Sequence, residues 1–388
     1  MTQAAASPPL AQTLVVIQPT AFCNINCSYC YLPGRDATRK MSEQVLGAIA
    51  DQVFGSTLLG EELSFVWHAG EPLTAGYAFF ERAFAMIAGH SASRGRRVSH
   101  SVQTNGLLLD ERWLKLFARY DVRVGLSIDG PAFLHDRNRK TRSGKGTHAD
   151  VMRAAGQMRE LGYPFSTIMV VTREALEHAD EVFEFFAQLG ASYVGLNVEE
   201  IESANVHSSL EHDSSEGKLR AFYRRLLERQ QSEGRVRFRE FDPYQPLLVR
   251  SASFVARNIF SRSSLVVPFS IVNFDLAGNF STFCPELLGS AADGRFAGFQ
   301  MGNVLQDRLD GIPQHPIFKQ VHLEILAGVR KCEDECGYWK FCGGGNPANK
   351  YFESGRFDVS ETKYCRQHKQ CVVDAVLDVA EAKVLASA

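Results

Sequence analysis

Between residues 13 and 200 the hydrophobic positions switch repeatedly between a two-residue and a helical period. Six short runs rich in β-branched and aromatic residues predict strands: "TLVVIQPT" (13–20), "ELSFVWHAG" (62–70), "RVSHSVQTNG" (97–106), "VRVGLSIDG" (122–130), "FSTIMVVT" (165–172) and "YVGLNVEE" (193–200). The stretches 42–54, 77–89, 110–119, 149–161 and 175–189 lie between them and are amphipathic with helical spacing. Ser42 and Asp110 stand where N-caps belong, each followed by an acidic residue in the first turn. Repeated β-α units imply a parallel sheet with helices outside it, and periodicity leaves open whether the sheet closes as a barrel. Such folds place their chemistry at the carboxyl ends of the strands. That edge would carry Cys23, Cys27 and Cys30 after the first strand and Gly70, Glu71 and Pro72 after the second. The third adds Gln103, Thr104 and Asn105, and the fourth Ser127 and Asp129.

After residue 200 the pattern breaks. "SANVHSSLEHDSSEG" (203–217) reads as a polar linker, followed by a basic helix to about Gln231. Residues 240–330 are mixed, with a hairpin expected at "VNFDLAGNFSTF", and residues 331–371 are rich in cysteine and glycine with little periodicity. Ligands rather than a core would organise that last region. The expected division is a core at 13–200, a linker and helix at 201–240, and a cysteine-rich domain at 241–388.

Composition changes this picture little. A chain of 388 residues with 45% hydrophobic and 22% charged residues is an ordinary globular one. Its net charge of −2 and pI of 6.6 offer no broad positive field, which argues against nucleic acid or an anionic membrane as partner. No apolar run is long enough to span a bilayer, and "MTQAAASPPLAQ" lacks the basic and apolar regions of a secretion signal, so a cytoplasmic location is expected.

The cysteines do change it. Nine in a cytosolic chain are not a disulfide scaffold. Cys23, Cys27 and Cys30 sit at the start, Cys284 stands alone, and Cys332, Cys336, Cys342, Cys365 and Cys371 crowd the end. The distribution suggests two metal sites. The first group has spacing C-x3-C-x2-C with Tyr29 before the third cysteine. Thiolates hold zinc and iron–sulfur clusters, and a structural zinc site is closed by four ligands. Three thiolates on a four-iron cubane leave one iron open to a small molecule. The expected site is therefore a reactive one.

"CNINCSYC" resembles the signature of the radical S-adenosylmethionine (radical SAM) superfamily. The resemblance implies a partial (β/α)6 TIM-like barrel, an α/β fold, holding a 4Fe–4S cluster with an open iron. It implies S-adenosylmethionine chelated there and cleaved to a 5′-deoxyadenosyl radical, with an external electron donor of flavodoxin or ferredoxin type. "WHAGEP" reads as a turn on its own; beside the cysteines it resembles the family's Gly-Gly-Glu-type motif, with Ala69 for the first glycine. Gly70 would let the backbone approach and Glu71 would accept from the cofactor's ammonium. "SIDGP" is likewise either a turn or, by resemblance, the site of Ser127 and Asp129 near the cofactor's ribose and carboxylate. "QTNG" makes Asn105 a weaker binding candidate, since Asn-Gly turns are common. The run "HDRNRKTRSGKGTH" (135–148) is mostly expected as a solvated loop, with Arg139 the member that would pair with the cofactor carboxylate.

The carboxyl-terminal group, Cys332, Cys336, Cys342 and Cys365, has spacing C-x3-C-x5-C-x22-C, enough to close a cubane or a structural zinc. Gly343 to Gly345 follow the third ligand and would let backbone N–H groups approach sulfur. The region resembles the cysteine-rich SPASM extension of peptide-modifying radical SAM enzymes, but has Asn346 where a further cysteine would stand. One auxiliary 4Fe–4S cluster is implied, with Cys284 and Cys371 outside it. "FSTFCPELLG" and "CGGGNPANKYFESG" look most like maturases that build three-residue cyclophanes in ribosomal precursor peptides, linking an aromatic ring to a β-carbon. The alternative is an anaerobic sulfatase-maturating enzyme, in which an Asp base follows the cysteine equivalent to Cys284. Here Pro285 follows and Glu286 comes next, which makes Glu286 the candidate proton acceptor. A non-catalytic zinc or iron–sulfur scaffold is the reading from another class.

Overall fold

The computed structural model describes residues 10–211, 215–249, 262–290 and 295–387. Residues 212–214 of the expected polar linker lie outside the described residues.

All six expected strands form: β1 (Gln12–Ile17), β2 (Glu62–Trp67), β3 (Arg97–Thr104), β4 (Val122–Ser127), β5 (Phe165–Val171) and β6 (Tyr193–Val198). Each pairs in parallel with its sequence neighbour. The crossovers are helical: α1 (Glu43–Gly55), α2 (Tyr77–Arg94), α3 (Glu111–Arg119), α4 (Ala132–Asn138), α5 (His148–Glu160) and α6 (Ala179–Leu189). The expected caps are in place, since Ser42 Oγ accepts from Val45 N–H at 3.2 Å and an Asp110 carboxylate oxygen from Trp113 N–H at 3.1 Å. Between the sheet and α2–α3, Trp67, Phe80, Phe84 and Phe117 are fully buried, with rings meeting edge-on. Burying side chains of this size stabilises by about 2–3 kcal/mol each.

The sheet order β6-β5-β4-β3-β2-β1-β7-β8 is that of an open, partial barrel. The hairpin of β7 (Ile271–Phe274) and β8 (Phe280–Thr282), expected inside the cysteine-rich region, joins this sheet instead. β7 lies parallel to β1 and antiparallel to β8. The sequence position suggested a separate unit, but the four residues of β7 are all buried, and the open flank of β1 supplies their hydrogen-bond partners. The linker helix α7 (Ser215–Glu233) packs against the last helix, Cys371–Ser387, where Arg220 and Asp378 pair. The second region thus shares the sheet with the core, and its Glu286, Asn346 and His368 line a cavity with residues at the carboxyl ends of the strands. Among the described residues no helix is long and apolar enough to cross a membrane.

Candidate active site

The loop after β1 carries three free thiols, Cys23 and Cys27 buried and Cys30 half-buried. Much of the basic run braces this loop. Asn26 N–H donates to Lys140 C=O at 2.7 Å and Ser28 N–H to Asn138 C=O at 3.1 Å. Arg142 Nε donates to Cys23 C=O at 2.8 Å, and its guanidinium pairs with Asp36. Arg137 and Lys145 meet the expectation of a solvated face without such a tie to the loop.

Gly70 follows β2 with φ +56°, and a Cβ there would lie 2.5 Å from Phe22 C=O. The glycine is required because the loop backbones touch. Ala69, beside it, also has a left-handed φ of 74°. Glu71 is bonded within the chain. It is fully buried and its carboxylate accepts from Leu73 N–H (3.0 Å), Thr104 Oγ1–H (2.8 Å) and Asn105 N–H (2.7 Å). Those donors take three of its acceptor sites, and Glu71 ties the β2 loop to the end of β3. Burial pushes its pKa up to about 7, the three donors pulling the other way.

Asn105 Nδ2 reaches Cys23 Sγ at 3.8 Å and Asn24 Oδ1 at 2.7 Å. Ser127 Oγ accepts from Gln103 Nε2 at 2.9 Å, and Gly125 makes room for that glutamine, since a Cβ there would sit 2.3 Å from Gln103 Oε1. Asp129 is buried and committed. Tyr29 O–H donates to it, Val170 N–H donates to its Oδ1 at 3.0 Å, and Arg139 Nε lies 3.0 Å from its Oδ2. That last contact is an ion pair rather than an aligned hydrogen bond. Arg139 Nη1 also stands 4.0 Å from Cys27 Sγ. The expected partner of Arg139, a ligand carboxylate, therefore meets a guanidinium already neutralised by Asp129. His135 holds this pair: its Nδ1 accepts from Asp129 N–H at 3.2 Å, and Nε2 lies 3.0 Å from Thr147 Oγ1. Thr147 donates to Arg139 C=O at 2.9 Å, so the imidazole proton sits on Nε2, and burial holds the pKa down to about 3.

These elements surround one cavity of about 410 Å³. The three cysteines, Gly70, Asn105, Ser127 and Arg139 line it, whereas Glu71 and Asp129 stand behind its wall. Part of its lining is acidic. Glu200 and Glu202 follow β6, and Glu286 follows β8. Burial raises all three carboxyls above the usual range, Glu200 to about 8, and their charges repel. Glu202 Oε1 is buried without a partner. Sequence reasoning found Glu286 and missed the other two. Their signal was present, since "VEEIE" ends the sixth strand at the same edge as the cysteine loop.

Cys332, Cys336, Cys342 and Cys365 line a second, smaller cavity with Gly344 and Gly345. Gly343, Gly344 and Gly345 have φ of 65°, 118° and 77°, so the chain turns around the thiols as only glycines readily allow. Cys371 points away, its Sγ 3.5 Å from Glu216 C=O, beyond a π-helical turn at Cys365–Gln370. Among the described residues no group of three or more His, Cys, Asp or Glu is arranged to hold a single metal ion, and the cysteines of each set line a common cavity.

The sequence matches the family model of the radical SAM superfamily over residues 17–186. An uncharacterised protein of Synechocystis sp. is 39% identical, covering 95% of this chain and 92% of its own. The serine-type anaerobic sulfatase-maturating enzyme of Klebsiella aerogenes is 34% identical over 44% of this chain and 43% of its own, less than half its length. Among solved structures, anSMEcpe with bound AdoMet and the Cp18Cys peptide superposes with a TM-score of 0.75 at 21% identity, covering 96% of this chain and 99% of that one. Streptococcus suis SuiB bound to the precursor peptide SuiA gives 0.62 at 16%, covering 92% and 76%. At these identities the structural likeness is one of fold. With the cysteine loop at the edge of a parallel sheet and a family match that covers strands β2 to β5, the chain belongs to the radical SAM superfamily.

Proposed function

We propose that this radical SAM enzyme is a peptide maturase that joins an aromatic ring to the β-carbon of a residue two positions along, closing a three-residue cyclophane. Cys23, Cys27 and Cys30 would hold the 4Fe–4S cluster of the superfamily, with S-adenosylmethionine on its open iron. The donor set fits: three thiols line one cavity, and Asn105 and Arg139 aim N–H groups at two of the sulfurs, as thiolates require. When bound, these groups supply the radical that abstracts a hydrogen atom. Gly70, Ser127 and Arg139 line the space for the cofactor, while Glu71 and Asp129 position that lining.

One observation carries the reading: Glu200, Glu202 and Glu286 line the same cavity as the three cysteines. Ring closure removes two hydrogens from the peptide, one as an atom, the other as a proton from the ring, with one electron left over. Three desolvated carboxyls cannot all ionise, and the one that does has a raised proton affinity, so the cluster can take the ring proton. Glu286 is the acceptor we assign. A second space of about 420 Å³ shares Glu200 as a wall and offers an extended peptide a way in. Cys332, Cys336, Cys342 and Cys365 would hold one auxiliary 4Fe–4S cluster, a sink for the remaining electron, and a flavodoxin- or ferredoxin-type donor would supply the electron that starts each turnover.

The match to sulfatase-maturating enzymes favours a second reading, oxidation of a Cys or Ser to formylglycine. It lacks the Asp that would follow Cys284, where Pro285 stands. Anaerobic reaction with a precursor peptide containing aromatic-x-x motifs separates the two. A product lighter by two hydrogens per crosslink, with no backbone fragments inside the ring, is expected. A Cys or Ser converted to an aldehyde would establish the second reading instead.

A further inference from the structure

Lys350 is a buried cation whose nearest anionic chemistry is sulfur. It lies on the helix Pro347–Ser354, and only 2% of its surface is exposed. Its Nζ donates to Cys332 Sγ at 3.2 Å and to Gly328 C=O at 3.3 Å. Among the described residues no carboxylate lies within ion-pair distance of it, although the chain pairs most of its other buried or half-buried cations with acids. Gly345, with φ +77°, borders the side chain, and a Cβ there would stand in ordinary contact with Lys350 Cε at 3.6 Å and Cys365 Sγ at 3.7 Å. A buried ammonium without a counter-charge is unstable. The counter-charge available here is thiolate.

We propose that Lys350 is the fixed counter-charge of the auxiliary cluster and sets its reduction potential, an inference that rests on the four-cysteine site holding an iron–sulfur cluster. One-electron reduction adds a negative charge to the cluster and its thiolates. A positive charge on one ligating sulfur stabilises the reduced form more than the oxidised one and raises the potential. The device suits a cluster that must accept an electron from a substrate radical. A neutral residue at 350 would make the cluster a poorer acceptor without changing its ligands.

The test uses the full chain with Cys23, Cys27 and Cys30 replaced by alanine, so that only the auxiliary cluster contributes. Iron and zinc analysis comes first. About four irons per chain are expected; zinc or no metal would refute the auxiliary-cluster reading itself, before Lys350 is considered. Redox titration followed by electron paramagnetic resonance then compares this protein with its Lys350→Met and Lys350→Gln versions. The expected result is full iron content with the midpoint moved to more negative potential in both, by at least tenfold in the reduction equilibrium, or about 59 mV for one electron. An unchanged midpoint in a variant that keeps its iron would overturn the proposal. Loss of iron from both variants with the fold intact would overturn it too, because the lysine would then serve assembly and not the potential.

Discussion

Cys284 Sγ lies 3.2 Å from Asn346 Oδ1. The thiol is fully buried and burial pushes its pKa well above the usual range, so it is the donor. The same Oδ1 accepts from Ala348 N–H at 2.9 Å and caps the helix Pro347–Ser354. Cys284 is the one upstream cysteine available to a second auxiliary set, and Asn346 occupies the position where that set lacks a cysteine. The structure brings the remaining thiol and the substituted residue together as a neutral hydrogen bond.

It follows that Cys284→Ala should leave iron near eight per chain, as expected for two cubanes of about four irons each. Cys342→Ala should roughly halve it. Twelve irons falling on replacement of Cys284 would prove a second auxiliary cluster and refute this arrangement.

The thiols of the first loop should be indispensable to cofactor cleavage. Replacing Cys23, Cys27 and Cys30 together with alanine should abolish 5′-deoxyadenosine formation under reducing, oxygen-free conditions. Wild-type rates of cleavage in the triple variant would sink the assignment of the open-iron site.

Glu71 gives a different signature from a ligand-contacting residue. Glu71→Ala strips three buried donors of their acceptor, at a cost of about 2–3 kcal/mol in folding stability. Cofactor binding should weaken as the loop at Gly70 loosens, and the melting temperature of the cofactor-free protein should fall with it. A variant with unchanged melting temperature but weakened binding would put Glu71 in contact with the cofactor after all.

How far the sequence could be read depended on the range of the forces involved. Strand and helix placement in 13–200 is local, and caps such as Ser42 and Asp110 were visible because the motif is three residues long. The cysteine spacings were legible for the same reason. The attachment of β7 to β1 was not, because it joins residues more than 250 positions apart and has no local pattern. Nor could sequence tell that Glu71 and Asp129 turn their carboxylates into the scaffold, since an acid at a strand end looks the same whether it faces a ligand or a backbone amide. Lys350 was hidden inside an unremarkable "NPANKY". Its meaning comes only from burial.

Stability of the metal-free protein should fall as pH rises. The folded pKa of Glu200, about 8, lies above the usual glutamate range near 4.3. Between those values the folded chain keeps a proton that the unfolded chain has released, so unfolding becomes easier with each step upward in pH. Glu200→Gln keeps an acceptor for Asn349 Nδ2, now 2.5 Å from Glu200 Oε2, and removes the titration. Thermal melts from pH 5 to 8 should show a shallower decline in the variant. Equal slopes would mean that Glu200 is ionised in the fold at neutral pH.

The Asp129–Arg139 pair yields the most discriminating stability test. Both side chains are buried, so removing either leaves the other as an uncompensated charge. Asp129→Asn and Arg139→Met should each destabilise by about 3 kcal/mol, in the range for breaking a buried pair. Together they should cost clearly less than the sum, because the double variant buries no orphan charge, a coupling of about 1–3 kcal/mol. Urea denaturation of the four proteins measures that difference directly. Strict additivity would mean that Arg139 draws its counter-charge from elsewhere, with the thiolates of the cysteine loop next in line, since Cys27 Sγ stands 4.0 Å from Nη1.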